Sequence, residues 1–156
     1  MISNATPLIL LGKINQLELL QKTVGVVLIP NAVKKEVLIE TKPGVHAIQE
    51  ALRRKGIIVS NPKVILNLTL GAGENAAISL AKERGDTLLI DDIRAITAAH
   101  TYAVPTLRTT SIIFMALKKK FLTADQAILY LNQIITEGYY IKPAEYALLL
   151  SKLKNL

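Results

Sequence analysis

Four polar positions of this chain fall just past apolar runs, and their side chains carry the oxygen ligands that hard cations prefer. They are Asn4, Glu36, Glu74 and the adjacent pair Asp91 and Asp92. In open α/β sheets, ligand sites form at the carboxyl ends of the parallel strands. Acids brought together at such an edge repel one another, and a divalent cation removes that repulsion. The pattern therefore predicts a metal site made from these side chains.

Each acid taken alone also has an ordinary structural explanation. A glutamate in the first turn of a helix complements the helix dipole, which would account for Glu74. Asp91 or Asp92 would cap the helix that begins near Ile93, and one of the two could cap while the other binds metal. Glu36 lies among lysines, as an exposed ion-pair partner would. The prediction of a metal site thus comes from the set rather than from any one residue.

The hydrophobic pattern predicts the elements that must position these residues. Apolar runs alternate with helical patterns along the chain, which indicates an α/β fold with a mainly parallel sheet. The runs that predict strands cover 1–3, 24–29, 57–60, 64–70, 87–90 and 104–107. No repeat, low-complexity tract or interdomain linker interrupts the sequence, so we expect a single domain over residues 1–156.

A glycine-rich turn ahead of Glu74 leaves two other interpretations open. Gly71, Gly73 and Ala76 fit the G-x-G-x-x-A fingerprint of dinucleotide-binding proteins, and Asp91 follows 20 residues after Gly71. Against this, the Glu74 carboxylate would project at the helix N-terminus where a pyrophosphate would bind. The turn could also be purely structural.

Hydroxyl groups near the acids indicate a supporting role rather than nucleophilic catalysis. Thr6 lies two residues after Asn4, and Thr109 follows the last predicted strand, so either could orient a ligand or a water. No His and Asp are placed to activate a Ser or Thr nucleophile, and the chain contains no cysteine.

The composition is basic, which is compatible with binding to a phosphate backbone. A total of 19 Lys and Arg against 12 Asp and Glu gives a formal net charge of +7. Two clusters that could bind RNA, or could equally be solvated helix ends, are Arg53, Arg54 and Lys55, and Lys118, Lys119 and Lys120. Aromatic residues are scarce, so stacking platforms for single-stranded nucleic acid are not obvious. No run approaches the ~18–20 apolar residues of a membrane span, and the lack of cysteine favours a cytoplasmic location.

In their order and spacing, these elements resemble a PIN-domain ribonuclease, and more narrowly the toxin half of VapBC-type toxin–antitoxin pairs. The matching stretches are 2–9, 29–37, 73–81, 88–95 and 104–106. Each stretch is a weak motif alone, and together they span nearly the whole chain.

The resemblance implies a three-layer α/β/α sandwich around a central parallel sheet. It implies that Asn4, Glu36, Glu74 and Asp92 hold one or two Mg²⁺ or Mn²⁺ ions, with Asp91 as a substitute or helper for Asp92. The implied activity is endoribonucleolytic hydrolysis of RNA phosphodiesters, with the RNA held along a basic rim. The implied partners are RNA, a small antitoxin protein, and further copies of the chain in a homodimer or higher homo-oligomer.

Two positions depart from the family pattern. Asn4 stands where the family usually has Asp, so the site loses one negative charge and its metal affinity should fall. Arg108 stands where the subfamily often has Gly, and it could contact phosphate or fill the pocket. The alternative function is therefore a catalytically weakened PIN-fold module that binds RNA or protein.

Overall fold

Five short parallel strands form the centre of the computed structural model, which describes residues 1–39 and 41–156. They are β1 (Ile2–Ser3), β2 (Val27–Ile29), β3 (Ile57–Val59), β4 (Leu88–Leu89) and β5 (Thr106–Leu107). The strand order across the sheet is β3-β2-β1-β4-β5, and every neighbouring pair is parallel. The predicted α/β fold with a parallel sheet is confirmed.

Helices separate successive strands and follow the last one. Within the described residues they are α1 (Ala5–Lys13), α2 (Leu17–Val24), α3 (Asn31–Val37), α4 (Val45–Arg53), α5 (Ala72–Arg84), α6 (Ile93–Thr101), α7 (Thr109–Lys118), α8 (Ala124–Thr136) and α9 (Pro143–Lys154). Leu88 and Leu89 are adjacent in β4, point to opposite faces of the sheet and are both fully buried, so helices cover the sheet on both sides. None of these helices is long and apolar enough to cross a membrane.

The strand order places a topological switch point between β1 and β4. From β1 the chain builds β2 and β3 on one side and then returns to build β4 and β5 on the other. The connections after β1 and β4 therefore leave the sheet in opposite directions, and a crevice opens at their carboxyl ends. The Asn4 backbone N–H donates to the Leu89 carbonyl over 2.9 Å, which is the hydrogen bond between β1 and β4 at this edge of the sheet.

Two apolar clusters make up the core. The larger one surrounds the sheet and contains strand residues such as Ile2 and Ile29. The second joins α7, α8 and α9 to Leu10 of α1 and Leu19 of α2. Helix α7 connects the two clusters, because Ile112 belongs to the cluster around the sheet whereas Ile113 and Ala116 belong to the second.

Five of the six predicted strands are present but shorter than predicted, and the sixth is absent. Residues 64–70 form no strand, because the sheet ends at β3 and their polar backbone groups bond to α5 instead. The Leu66 N–H donates to Ser79 Oγ over 2.8 Å, and Asn75 Nδ2 donates to the Leu70 carbonyl. The run at 24–29 is shorter than predicted, since Val24 is the last residue of α2 and Gly25 turns the chain with a φ of 78°.

Helices α1 and α4 meet through two glycines. Gly44 precedes α4 with a φ of +85°, a conformation that residues with a side chain rarely adopt. A Cβ at this position would lie 2.7 Å from the carbonyl carbon of Gly12 in α1. The contact is backbone against backbone, so no side-chain movement can relieve it.

We expect Gly44→Ala to lower the free energy of unfolding by about 2–4 kcal/mol, because backbone strain and overpacking add at this position. Gly85→Ala is the matched control, since Gly85 is also in the left-handed helical conformation, with φ 61° and ψ 36°, but nothing lies within 4 Å of its Cβ position. The control should cost only about 1–2 kcal/mol in denaturant unfolding. Equal losses in the two variants would show that the Gly12–Gly44 contact does not limit the packing of α1 on α4.

Candidate functional site

Asn4 presents an unused oxygen at the end of β1. It occupies the N-cap position of α1, yet its side chain makes no capping hydrogen bond. An N-cap side chain normally accepts from the backbone N–H two or three residues later, and Pro7, at the third position, has no N–H to give. Asn4 is only 4% exposed, and its Oδ1 is buried without a hydrogen-bond partner. A buried orphan oxygen of this kind suits a cation ligand.

Glu36 reaches the same region from α3. Its carboxylate lies against Gly73 in the first turn of α5, so closely that a Cβ on residue 73 would overlap Glu36 Oε1. Gly73 is buried in an ordinary helical conformation, so residue 73 must be glycine for lack of space and not because of its backbone angles. Glycine at 73 thus allows Glu36 to approach the N-terminus of α5, directly beside Glu74.

Glu74 connects the acids electrostatically. Partial burial raises the pKa of its carboxyl, and the negative charges of Asp92 and Glu36 raise it further. The Gly71 N–H, which donates to Glu74 Oε2 over 3.3 Å, and the nearby Arg94 partly oppose these effects. Three carboxylates that repel one another therefore share one end of the sheet.

The adjacent aspartates have different surroundings. Asp92 is exposed and caps α6, because its Oδ1 accepts from the Ala95 N–H over 2.9 Å. Asp91 is 9% exposed, and its two oxygens accept from Thr109, from the backbone N–H over 2.8 Å and from Oγ1 over 2.6 Å. Burial raises the pKa of Asp91, opposed by Thr109 and by the charge of Arg108. Asp92 thus faces the other acids, while Asp91 fastens β4 to the start of α7.

The arrangement fits a divalent cation without being a closed cage. Among residues 1–39 and 41–156, no three His, Asp or Glu side chains are grouped tightly enough to hold an ion as they stand. Asp91 and Asp92 both accept hydrogen bonds that hold the fold together. Of the four candidate ligands, Asn4 offers an amide oxygen and the other three offer carboxylate oxygens. The buried, unpartnered Oδ1 of Asn4 and the mutual repulsion around Glu74 are the features that a cation would satisfy. The residues that would hold it are Asn4, Glu36, Glu74 and Asp92.

A cleft of about 460 Å³ opens at Asp92, and its lining includes three cations together with Asp91, Asp92 and Glu137. Lys13, Arg94 and Arg108 all contribute to its walls, as do Thr6 and Asp92.

Arg94 could have been found from the sequence by its position two residues after Asp92, in the first turn of a helix that begins at the site. Nothing in the sequence indicates Lys13, because only the packing of α1 against the turn after α8 brings it here. The sequence predicted that Thr6 or Thr109 orients a ligand or a water. Thr6 lies in the cleft, whereas the Thr109 hydroxyl is hydrogen-bonded to Asp91.

The two basic clusters predicted to bind RNA lie away from the acids. Arg53 and Arg54 end the helix that leads into β3, and both pair with Glu50. Lys119 is at the far end of α7, where its Nζ donates to the Thr23 carbonyl next to the start of β2. The clusters 53–55 and 118–120 are therefore both at the amino end of the parallel strands, opposite the candidate site.

The glycine-rich turn lacks the context of a dinucleotide fingerprint. Gly71 follows the irregular segment 60–70, not a strand, and it serves as the N-cap of α5. Its N–H donates to Glu74, so the acid occupies the position where a pyrophosphate would bind. The turn instead delivers Glu74 to the site and makes room for Glu36.

A parallel sheet in this order, with acids gathered at its switch point, is the arrangement of a PIN domain. The chain belongs to this family: the model described as DUF3368, a PIN domain, matches residues 1–155. PIN domains are generally nucleases and generally use divalent metals.

A solved structure supports the fold independently. It is a PilT N-terminus domain protein, SSO1118, from the hyperthermophilic archaeon Sulfolobus solfataricus P2. The alignment has a TM-score of 0.54 and 20% sequence identity, and it covers 72% of this chain and 90% of that chain. No curated protein gives a significant match to the chain.

We expect Gly73→Ala to stabilise the protein and to weaken metal binding. Alanine is favoured over glycine in a helix by about 0.5–1 kcal/mol, and the displaced atoms are the flexible end of Glu36. Thermal melts with and without Mn²⁺ should show a higher melting temperature without metal and a smaller rise on adding it.

Gly71→Ala is the matched control for this substitution. A Cβ at residue 71 meets only Glu74 Oε2, at 3.8 Å, which is an ordinary contact. Its metal-induced rise should equal that of the native chain. An undiminished rise in Gly73→Ala would mean that Glu36 does not take part in binding the ion.

Proposed function

We propose that this protein is a metal-dependent endoribonuclease that hydrolyses RNA phosphodiesters with Mg²⁺ or Mn²⁺. The observation that carries the proposal is the convergence of Glu36, Glu74 and Asp92. Asn4, whose Oδ1 has no partner, ends β1 at the switch point of the same sheet. Membership of a family whose members are generally nucleases supports the same reaction class.

The side chains divide the work between holding the ion and shaping the site. Asn4, Glu36, Glu74 and Asp92 would supply the oxygen ligands. The chemistry that a bound divalent ion supplies is activation of a water and stabilisation of charge on the phosphate oxygens. Asp91 and Thr109 act from behind the site by fixing the end of β4 against α7. Thr6, exposed in the cleft, is placed to hydrogen-bond a water or a phosphate oxygen.

The RNA would be held by cations on the side of the acids. Lys13, Arg94 and Arg108 line the cleft there and can offset the repulsion between the acids and a phosphate backbone. The clusters 53–55 and 118–120 could attract RNA at longer range through the positive charge of the whole protein.

The proposed biological setting is a cytoplasmic toxin–antitoxin pair, as the resemblance to VapBC-type toxins implies. In that setting a small antitoxin protein would neutralise the nuclease, and the nuclease would act as a homodimer or higher homo-oligomer. A short antitoxin-like reading frame next to this one would support the pairing.

One observation favours a second function, a catalytically weakened module that binds RNA or protein. Asn4 provides an oxygen but no negative charge, so the site has three free acids where the family pattern has four. Cleavage of assorted RNAs with Mg²⁺ or Mn²⁺, compared with EDTA, distinguishes the two functions directly.

We expect Asp92→Asn to reduce RNA cleavage by about 100-fold or more without unfolding the chain. Removing a group that merely supports a metal ligand already costs about 10–100-fold. Asn caps helices as well as Asp does, so α6 should keep its first turn. Asp125→Asn removes the same charge from the start of α8 and should leave cleavage unchanged. Full activity in a folded Asp92→Asn protein would contradict the metal model.

We expect Asn4→Asp to strengthen metal binding and to raise nuclease activity. A fourth carboxylate adds attraction for the cation once metal is bound, whereas without metal it crowds the cleft and slightly lowers stability. Thermal melts should therefore show a larger metal-induced rise than in the native chain. Asn155→Asp, at the exposed end of α9, adds the same charge elsewhere and should show the native rise. If Asn4→Asp also shows only the native rise, residue 4 does not face the ion.

A further inference from the structure

Arg108 lies in the cleft beside the acids, and its donors are poorly satisfied. It follows β5 and is 24% exposed, and its buried Nε has no hydrogen-bond acceptor. The distance from Nε to Asp91 Oδ1 is 3.9 Å. Nη1 is 3.5 Å from Glu145 Oε1, and Nη2 is 3.5 Å from the Tyr140 carbonyl. Contacts of this length are weak for a guanidinium, whose bonds to anions are normally 2.7–2.9 Å.

Asp91 cannot move closer to satisfy Arg108. Both of its oxygens already accept short hydrogen bonds from Thr109. The guanidinium is held instead by its flat face, since its Cζ lies 5.0 Å from the ring centroid of Tyr139. An arginine fixed by its face can exchange the long contacts of Nη1 and Nη2 for shorter ones to an anion in the cleft.

A large exposed aromatic side chain lies beside this cation. Tyr140 is 68% exposed and lines the same cleft, directly after the buried Tyr139. Proteins that bind single-stranded nucleic acids combine an exposed aromatic ring with a nearby cation, so that a base stacks on the ring and a phosphate binds the cation. The low aromatic content of the sequence gave no sign of such a platform.

We propose that Arg108 and Tyr140 form a nucleotide subsite that guides an RNA strand to the acids. Arg108 takes a phosphate, and the Tyr140 ring stacks on the adjoining base. The subsite rests on the proposed nuclease function and assigns two residues of this chain to positioning its substrate. A duplex keeps its bases stacked on one another and gains nothing from Tyr140.

Glu145 restrains Arg108 in the free protein. Its carboxylate competes with an incoming phosphate for the same guanidinium. Glu145→Gln weakens that competition, so RNA binding should become about twofold to threefold tighter. A purely structural Arg108 would predict lower stability and no gain in RNA affinity.

The experiment measures binding of a short fluorescent single-stranded RNA by anisotropy, in EDTA and over a series of salt concentrations. Arg108→Gln should bind about tenfold more weakly, with the salt slope reduced by about 0.7, the value of one lost phosphate contact. Tyr140→Leu should bind about fivefold more weakly with an unchanged slope, and Tyr140→Phe should bind as the native chain does. Lys22→Gln, which removes an exposed charge next to the amino end of the strands, is the control for net charge.

The same RNA annealed to its complement provides the selectivity test. Tyr140→Leu should bind the duplex as the native chain does, and an equal loss on duplex and single strand would overturn the subsite. If Arg108→Gln fails to fold, the Tyr140 pair and Glu145→Gln decide the question. Native affinity in both Arg108→Gln and Tyr140→Leu, with RNA still cleaved by the native chain, overturns the subsite and leaves the nuclease function standing. A native chain that neither binds nor cleaves RNA overturns both.

Discussion

The hydrogen bonds between Asp91 and Thr109 are the interaction on which the candidate site depends. They join the end of β4 to the first residue of α7 and so hold the β4 side of the crevice in place. Because Asp91 is committed to Thr109, Asp92 is the aspartate left to face Glu74. For the same reason Arg108 has no short ion pair with Asp91, and its side chain makes only long contacts in the cleft. The buried Asp91 carboxylate thus makes Thr109 a supporting residue and leaves Asp92 and Arg108 facing the crevice and the cleft.

The second constraint is the close approach of α3 and α5. Three acids can share a small region only if backbones come near one another, and Gly73 makes that possible by leaving space for the Glu36 carboxylate. The cost appears as the raised pKa of Glu74, which burial and its acidic neighbours produce together. A site arranged in this way is held in an unfavourable electrostatic state by the packing around it, and a bound cation would relieve that repulsion.

The fold and the order of the acids were predictable from the sequence because both follow from local patterns. Alternating apolar runs and helices indicated the parallel sheet, and the acids lie where that sheet brings strand ends together. The strand predicted at 64–70 is wrong. Its apolar residues resemble a strand, but backbone groups of Leu66 and Leu70 form hydrogen bonds with Ser79 and Asn75 and not with a neighbouring strand. Likewise, charge clusters along the chain do not reveal at which end of the sheet they lie. Lys13 and Tyr140 meet at the cleft only because α1 packs against the C-terminal helices.

Pro7 has a consequence for how this protein can change over evolutionary time. Without an N–H at the third position of α1, the side chain at position 4 lacks one of the two usual capping donors, and in the structure it makes no capping hydrogen bond. Local structure therefore places no demand on which of the two stands there. Codons for Asn and Asp differ by a single base, so the charge of the site can drift back and forth without any other residue having to adjust. A lineage can remove the charge at this end of the sheet and later restore it while the fold stays the same.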